Sequence, residues 1–251
     1  MDVAIIQLGE PWQTLVSTSL IKGIKRVFGS CNLHWTTTQE GYPLLQHNPS
    51  IARVSSDIRD HVGPYDFIIN LTPNLDVCKH LSGVRTNARF GYIYDENANG
   101  IKFANQDARD WNDLLCGNDL IESGKTVLQR MFRVAGMTWR GEGYDLAYYP
   151  RNKVKKGKVG IAIADGDLRV FVKRNLELSF NDLWHIPMRK NLLKRIDEIN
   201  ICKNIVTDDL FTLHAGISLR KNVQFLDRKN LKINFEFFGR GQHHRIGEYG
   251  G

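Results

Sequence analysis

Apolar and polar residues alternate along the chain in two distinct patterns, one typical of buried strands and one typical of helices. Residues 3–8 form a short apolar run rich in β-branched side chains, which predicts a buried strand. Apolar residues then recur at helical spacing from 14 to 28, which predicts a helix. The same patterns predict strands at 32–37, 51–54, 65–71 and 89–92 and helices at 41–46, 75–81 and 122–135. Alternating strands and helices indicate the α/β class, with a parallel sheet covered on both faces.

The second half of the chain opens with a basic segment, PRNKVKKGK, which we interpret as an exposed linker. A strand at 159–164 is expected to pair with 168–172 through an Asp-Gly-Asp turn. A helical pattern over 181–199, interrupted by Pro187, precedes a β-α-β unit. That unit comprises 205–207, 209–219 and 223–226, and another strand is predicted at 233–238. The predicted domains are therefore 1–150 and 159–251, with 151–158 as the linker and an irregular tail at the end.

The charge of the 251-residue chain is uneven. Residues 1–125 hold 11 Lys+Arg and 14 Asp+Glu, whereas residues 126–251 hold 23 and 13. A basic half indicates an anionic partner, such as a phosphorylated ligand, nucleic acid or a membrane surface, unless the charge only solvates the protein. The opening MDVAIIQLGE has neither a basic leader nor an apolar run of spanning length. We therefore expect a cytoplasmic protein, with or without peripheral contact to the inner membrane.

Common catalytic and cofactor motifs are absent from the sequence. It contains no GxxxxGK[ST], GxGxxG, HExxH or GxSxG, and its four cysteines form no CxxC pair. The adjacent His243 and His244 lack further spaced ligands, so a flexible terminal segment is favoured over a metal or nucleic-acid site. We predict no cofactor and no metal, and nucleic acid is the least favoured partner.

Several segments nevertheless share the features of one enzyme family. They are VAIIQLGEPWQTLVSTSLIKGIKRVF at the start, YDFIINL, LSGV at 81–84, ARFGY at 88–92, FRVAG at 132–136, VGIAIADG, and IVTDDLFTLHAGISLRKNVQFL. Together they resemble glycosyltransferase family 9, the heptosyltransferases that transfer ADP-heptose onto lipopolysaccharide cores. The first segment is similar to the family's Leu-Gly-x-x-Gly-Asp loop and the last to its Asp-(Ser/Thr)-Gly-Pro-x-His-Leu-Ala stretch.

The resemblance implies a GT-B architecture, in which two Rossmann-like domains with parallel sheets face one another. The N-terminal domain would take the acceptor and the C-terminal domain a nucleotide-sugar or another phosphorylated small molecule, and a protein partner is also open. Only 44 residues separate Gly160 from Ile205, fewer than the family normally has, so the C-terminal domain is expected to be shortened.

The first loop departs from the family at the position of the catalytic base. The family uses an Asp there, whereas this chain has Gln13, whose amide has no basic lone pair near pH 7. Glu10 is the only nearby carboxylate, so it either replaces the base or is a solvent-exposed loop residue. Gly9 and Trp12 would lie at the acceptor cleft, where the indole plugs the cleft or stacks on a planar ligand.

The predicted donor site departs in the same direction. Asp209 aligns with the family's acidic position, but Phe211 stands where a Gly would let a phosphate approach the backbone. Asp208 and Asp209 are equally typical of helix N-caps. His214 either contacts a phosphate or packs, and Lys173 is either a donor contact or a solvated cation.

Two functions follow from these departures. The first is a non-catalytic or weakly active binding or regulatory protein that keeps a degenerate heptosyltransferase fold. The alternative is an active glycosyltransferase that uses an ADP-heptose-like donor and a non-standard base. Loss of both the base and the donor-loop glycine favours the first, because each should cost several kcal/mol of transition-state stabilisation.

Overall fold

The chain folds into two compact units, each built around its own sheet. The computed structural model describes residues 1–115, 124–155, 157–164, 166, 182–227 and 234–245. The first unit contains Met1–Ala147 together with residues 234–236, and the second contains the described residues of 148–231 and 237–245. The predicted strand at 168–172 lies outside the described residues. Among those described, no helix is long and apolar enough to cross a membrane.

The first unit has a six-stranded sheet in the order β3-β2-β1-β4-β5-β6. Its strands are β1 Asp2–Gln7, β2 Asn32–Thr37, β3 Arg53–Ser55, β4 Tyr65–Asn70, β5 Thr86–Asp95 and β6 Gly100–Phe103. The first five are parallel, and β6 pairs antiparallel with β5. This confirms the predicted α/β class. The order of β1 to β5 is that of the first five strands of the dinucleotide-binding fold.

Six α-helices accompany this sheet in the described part of the first unit. They are α1 Pro11–Ser17, α2 Ser19–Phe28, α3 Tyr42–Leu45, α4 Leu75–Ser82, α5 Gln106–Leu115 and α6 Val127–Val134. Helix α6 begins later than predicted because Thr126 caps it, with its hydroxyl accepting the Gln129 N–H at 3.3 Å. Residues 122 and 123 of the predicted helix lie outside the described residues.

The single helix predicted over 14–28 is two helices that meet at Thr18. The hydroxyls of Ser17, Thr18 and Ser19 each donate to the carbonyl three residues earlier. Such bonds compete with the backbone ladder and bend or interrupt a helix. Helical spacing of the apolar residues alone could not reveal this break.

The second unit has a five-stranded sheet in the order β11-β10-β9-β7-β8, with every pairing parallel among the described residues. Its strands are β7 Val159–Ala162, β8 Leu183–His185, β9 Asn204–Thr207, β10 Asn222–Asp227 and β11 Gly241–Arg245. Its helices in the described ranges include α7 Leu192–Ile201 and α8 Leu210–Ser218. Listed from the other edge, the order β8-β7-β9-β10-β11 corresponds to 2-1-3-4-5, which is the second common strand order of doubly wound sheets.

One prediction for the second half is right only in part, and another is wrong. Of the helical pattern predicted over 181–199, the part after Pro187 contains α7, which begins after Asn191 caps the Lys194 N–H at 3.0 Å, whereas Leu183–His185 form strand β8. The strand predicted at 233–238 is not formed, since of the described residues only Asn234 makes an isolated bridge. The unassigned end supplies β11 instead, because backbone pairing with β10 needs no apolar pattern.

The topology identifies one functional edge in each unit. In the first sheet the strand order reverses between β1 and β4, and in the second between β7 and β9. Ligands of open α/β sheets bind at such switch points, beyond the carboxyl ends of the strands. The loops that follow β1, β4, β7 and β9 are therefore the expected ligand-binding positions of the two units.

Candidate functional site

The loop after β1 is held against the end of β4 by hydrogen bonds. The Leu8 N–H donates to Thr72 Oγ1 at 2.8 Å, and the Thr72 N–H donates to Asn70 Oδ1 at 3.0 Å. The topology thus brings predicted residues Gly9, Glu10, Trp12 and Gln13 to the switch point of the first sheet.

Gln13 is folded back onto its own loop. Its Oε1 accepts the Glu10 backbone N–H at 2.9 Å, and the Gln13 side chain is only 8% exposed. A Cβ added to Gly9 would lie 1.5 Å from that same Oε1, so the glycine makes room for the amide. The position that the resemblance assigns to the base is therefore filled by a helix-capping amide.

Glu10 and Trp12 contact each other beside this cap. The Trp12 indole N–H donates to Glu10 Oε2 at 2.8 Å, and the Glu10 side chain is exposed. Trp12 itself is only 6% exposed, so little of its ring is open to stack on a ligand. This geometry favours a packed indole over a stacking platform.

Gln7 is a polar residue at this edge that the sequence patterns missed. It ends strand β1, is buried, and accepts the Gly9 N–H at 3.1 Å through Oε1. Its Nε2 has no hydrogen-bond partner among the described residues. The available sequence signal was a polar residue at the end of an otherwise apolar strand. A buried N–H group without a hydrogen-bond partner lowers the stability of the fold unless a ligand or water accepts from it.

Gly9→Ala is expected to destabilise the first unit by about 1 to 2 kcal/mol, because the new methyl group forces Gln13 to release the cap. The double variant Gly9→Ala/Gln13→Ala should be less stable than Gln13→Ala alone by under about 0.5 kcal/mol, because the amide that the new methyl group displaces is already absent. Urea unfolding of the four proteins measures this coupling. Gly143→Ala is the control, because a Cβ at Gly143 meets no atom within 4 Å. Additive costs for the two changes would contradict the proposed contact.

In the second unit, both predicted aspartates follow β9 and have structural partners. Asp208 Oδ1 accepts the Ala164 N–H at 3.1 Å, which ties the ends of β9 and β7 together. Asp209 Oδ2 accepts the Thr212 N–H at 2.6 Å and so caps helix α8. The N-cap interpretation is confirmed for Asp209.

Arg195 is the residue at this edge that sequence patterns could not single out among many cations. It projects from α7, is buried, and its Nη2 donates to the Asp209 carboxylate and to Thr212 Oγ1. Burial lowers the pKa of Arg195, although Asp209 opposes the shift. The Nε–H is buried and has no hydrogen-bond partner among the described residues.

Phe211 and His214 pack within the same helix start. The Arg195 guanidinium lies 5.3 Å from the centroid of the Phe211 ring, so the residue that replaces a glycine covers the cation. His214 is only 1% exposed, and burial lowers its pKa to about 3, so it is neutral at physiological pH. This burial favours packing over phosphate contact. Lys173 lies outside the described residues.

No group of three or more His, Cys, Asp or Glu side chains that could hold a metal ion occurs among the described residues. The chemistry available at the two edges is therefore that of amides, carboxylates, one buried guanidinium and backbone N–H groups.

Comparison with known proteins shows what this fold resembles. No family model and no curated protein matches the sequence. Among solved structures, E. coli heptosyltransferase WaaC with ADP-2-deoxy-2-fluoro heptose is 10% identical with a TM-score of 0.62, covering 98% of this chain and 93% of that one. E. coli ADP-heptose lps heptosyltransferase II is 12% identical with a TM-score of 0.62, covering 98% and 91%.

A glycosyl transferase family 9 structure from Veillonella parvula is 11% identical with a TM-score of 0.67, covering 98% of this chain and 85% of that one. Agreement over nearly the whole chain at such low identity establishes the fold. The chain has the GT-B-like, heptosyltransferase-like fold that its sequence segments suggested.

Proposed function

We propose that this protein, which shares the fold of the heptosyltransferases, is a non-catalytic protein that binds a phosphorylated ligand. The observation that carries the proposal is the position of Gln13, whose buried amide oxygen caps the Glu10 N–H at 2.9 Å. In the family that the sequence resembles, this position supplies the proton acceptor for sugar transfer.

A capping amide cannot act in that way. Inverting transfer needs a group that takes the acceptor hydroxyl proton as the new bond forms. The Gln13 amide is neither basic nor free, because its oxygen already accepts a hydrogen bond. The loop is thus organised for stability at the point where the transferases need a base.

The second unit supports binding of a phosphate group. Arg195 lies beside the N-terminus of α8, where backbone N–H groups and the helix dipole favour an anion. All hydrogen bonds from the Arg195 side chain to described residues come from Nη2. The N–H groups at Nε and Nη1 therefore remain able to donate to a ligand. A guanidinium N–H forms a charge-assisted hydrogen bond with a phosphate oxygen, which is stronger than a bond between neutral groups.

The solved structures support a particular class of ligand. E. coli heptosyltransferase WaaC was solved both with ADP and with ADP-2-deoxy-2-fluoro heptose. An ADP-sugar combines a diphosphate for Arg195 with a sugar that this protein would hold without transferring it. A nucleotide-sugar is therefore the ligand to test first.

Arg195→Met is expected to weaken ADP binding about tenfold or more, because a charge-assisted hydrogen bond is worth about 1.5 to 3 kcal/mol. Isothermal titration of ADP and ADP-sugars into wild type and variant measures the effect. Lys194→Met is the matched control, since Lys194 is the exposed neighbour on the same helix. Equal affinity of wild type and Arg195→Met would remove Arg195 from the site.

The alternative is an active transferase in which Glu10 serves as the base. It is favoured by one observation, the exposure of the Glu10 carboxylate on the loop after β1. We expect no turnover of ADP-, GDP- or UDP-sugars by wild type, and no change of ADP affinity in Glu10→Gln. If wild type turns over a nucleotide-sugar and Glu10→Gln does not, the protein is an active transferase and the proposal of a non-catalytic binding protein is wrong.

A further inference from the structure

The positive charge of the second unit is concentrated at the amino ends of its strands. Lys158, Lys203 and Lys221 immediately precede β7, β9 and β10 and occupy matching register positions. Neighbouring strands lie about 4.8 Å apart. Arg240 immediately precedes β11, so four adjacent strands each begin with a cation.

The segment before β7 adds further cations to this edge. Its backbone is tied to the C-terminal end of α7, since the Lys155 N–H donates to the Ile201 carbonyl at 2.8 Å and Asn200 Nδ2 to the Asn152 carbonyl at 2.8 Å. Lys155 Nζ also lies 4.5 Å from the centroid of the Trp184 ring on β8. The segment therefore follows the sheet edge instead of projecting away as a free linker.

We define the amino-edge patch by its six exposed cations, Arg151, Lys153, Lys155, Lys203, Arg220 and Arg240. None of them forms an ion pair with an acidic side chain in the described part of the chain. Lys221 is excluded because it is buried and donates to the Asn200 carbonyl at 2.8 Å.

The acidic groups close to the patch are already engaged. Asp197 accepts from Tyr148 Oη at 2.9 Å and from the Arg151 N–H at 2.7 Å. Glu198 accepts the Trp184 indole N–H at 3.1 Å. These two carboxylates keep their negative charge, but the six exposed cations of the patch outnumber them, so the net charge of the patch is positive.

This edge is opposite to the one that carries Arg195 and the start of α8. The carboxyl edge holds Asp208 and Asp209 after β9 and Asp227 at the end of β10, so acids offset its cations. A phosphorylated ligand bound at the carboxyl edge would not contact the cations of the amino-edge patch. We therefore expect a second anionic partner to contact the amino-edge patch.

We propose that the amino-edge patch docks the protein on an anionic lipid surface. Tyr149 is 93% exposed and Val154 is 51% exposed, and both flank the lysines of the patch. Apolar and aromatic side chains beside lysines are typical of segments that enter the headgroup region while the ammonium groups contact lipid phosphates. A nucleic acid would use the cations and a tyrosine but gives no role to an exposed valine.

The test uses the full chain and vesicles of phosphatidylcholine with or without phosphatidylglycerol. Wild type is expected to sediment only with the anionic vesicles, and less so as salt is raised. Lys153→Gln/Lys155→Gln/Lys203→Gln should weaken this binding about tenfold to a hundredfold, because each cation near a charged membrane contributes strongly.

The matched control removes three exposed cations from the opposite edge, as Arg189→Gln/Lys190→Gln/Lys194→Gln. It should change vesicle binding less than about threefold, and both triple variants should keep the wild-type melting temperature. Tyr149→Ser should weaken vesicle binding without altering its salt dependence. Equal losses in the two triple variants, or binding to duplex DNA but not to anionic vesicles, would overturn the proposal.

Discussion

Lowering the pH from 6.5 to 4 is expected to remove about 6 kcal/mol of folding free energy, about 3 kcal/mol from each of two buried histidines. Burial, together with the nearby charges of His34, His80 and Arg53, lowers the pKa of His61 to about 4. Burial alone lowers the pKa of His214 to about 3. His61 lies in the first unit and His214 in the second, so both units are sensitive to acid.

The direction of this effect follows from proton binding. The unfolded chain takes up a proton at each histidine below about pH 6.5, while the folded chain remains neutral there until about pH 4 or 3. Stability is therefore fully present above pH 6.5 and falls as the pH decreases. Both ring nitrogens of His61 take part in hydrogen bonds, Nε2 with the Thr36 hydroxyl and Nδ1 with the Tyr65 hydroxyl, and these bonds hold the neutral ring in place.

Urea unfolding between pH 7 and pH 4 measures the loss. His214→Leu and His61→Gln should each flatten the dependence of unfolding free energy on pH, whatever their effect at pH 7. His47→Gln, at an exposed position, should leave the dependence unchanged. A wild-type slope that survives both substitutions would show that other groups cause the acid sensitivity.

Asp209→Ala is expected to destabilise the second unit by about 3 to 5 kcal/mol. The substitution leaves the buried Arg195 guanidinium without its carboxylate and the Thr212 N–H without its cap. Breaking a buried pair by removing one partner costs this much because the other charge stays in a poorly solvating environment. Loss of the cap accounts for about 1 kcal/mol of the total.

Three variants distinguish these contributions in chemical unfolding experiments. Asp209→Asn keeps a capping side chain but not the charge, and we expect a loss of about 2 kcal/mol. Arg195→Met replaces the cation by an apolar side chain and should cost less than Asp209→Ala. When Arg195→Met is already present, adding Asp209→Ala should lower the unfolding free energy only by the contribution of the lost helix cap, about 1 kcal/mol. A loss below about 1 kcal/mol for Asp209→Ala would show that water already solvates the pair.

Strand predictions were accurate where the residues are buried on both faces. β2 and β4 lie within their predicted ranges, and β1 begins one residue before its predicted range. β1 and β4 were recognisable because a strand inside a parallel sheet is a nearly continuous apolar run. Helix boundaries were less predictable. Thr18 interrupts one predicted helix by side-chain bonds that leave the apolar spacing intact.

Edge elements were not predictable from pattern. β11 has no apolar alternation, and it forms because β10 offers an unpaired row of backbone groups. The candidate site shows the same limit. Gln13 was recognised by its position in the first loop, but nothing local indicated that its oxygen accepts the Glu10 N–H.

The sequence by itself determined the α/β class and the absence of an acid at position 13, and it limited the cap of α8 to Asp208 or Asp209, because each depends on neighbours within a few positions. Only the tertiary structure decided which cation meets Asp209, and that the cations of the second unit gather at the amino ends of its strands. Both result from parallel crossovers, which align the starts of strands that are distant in sequence.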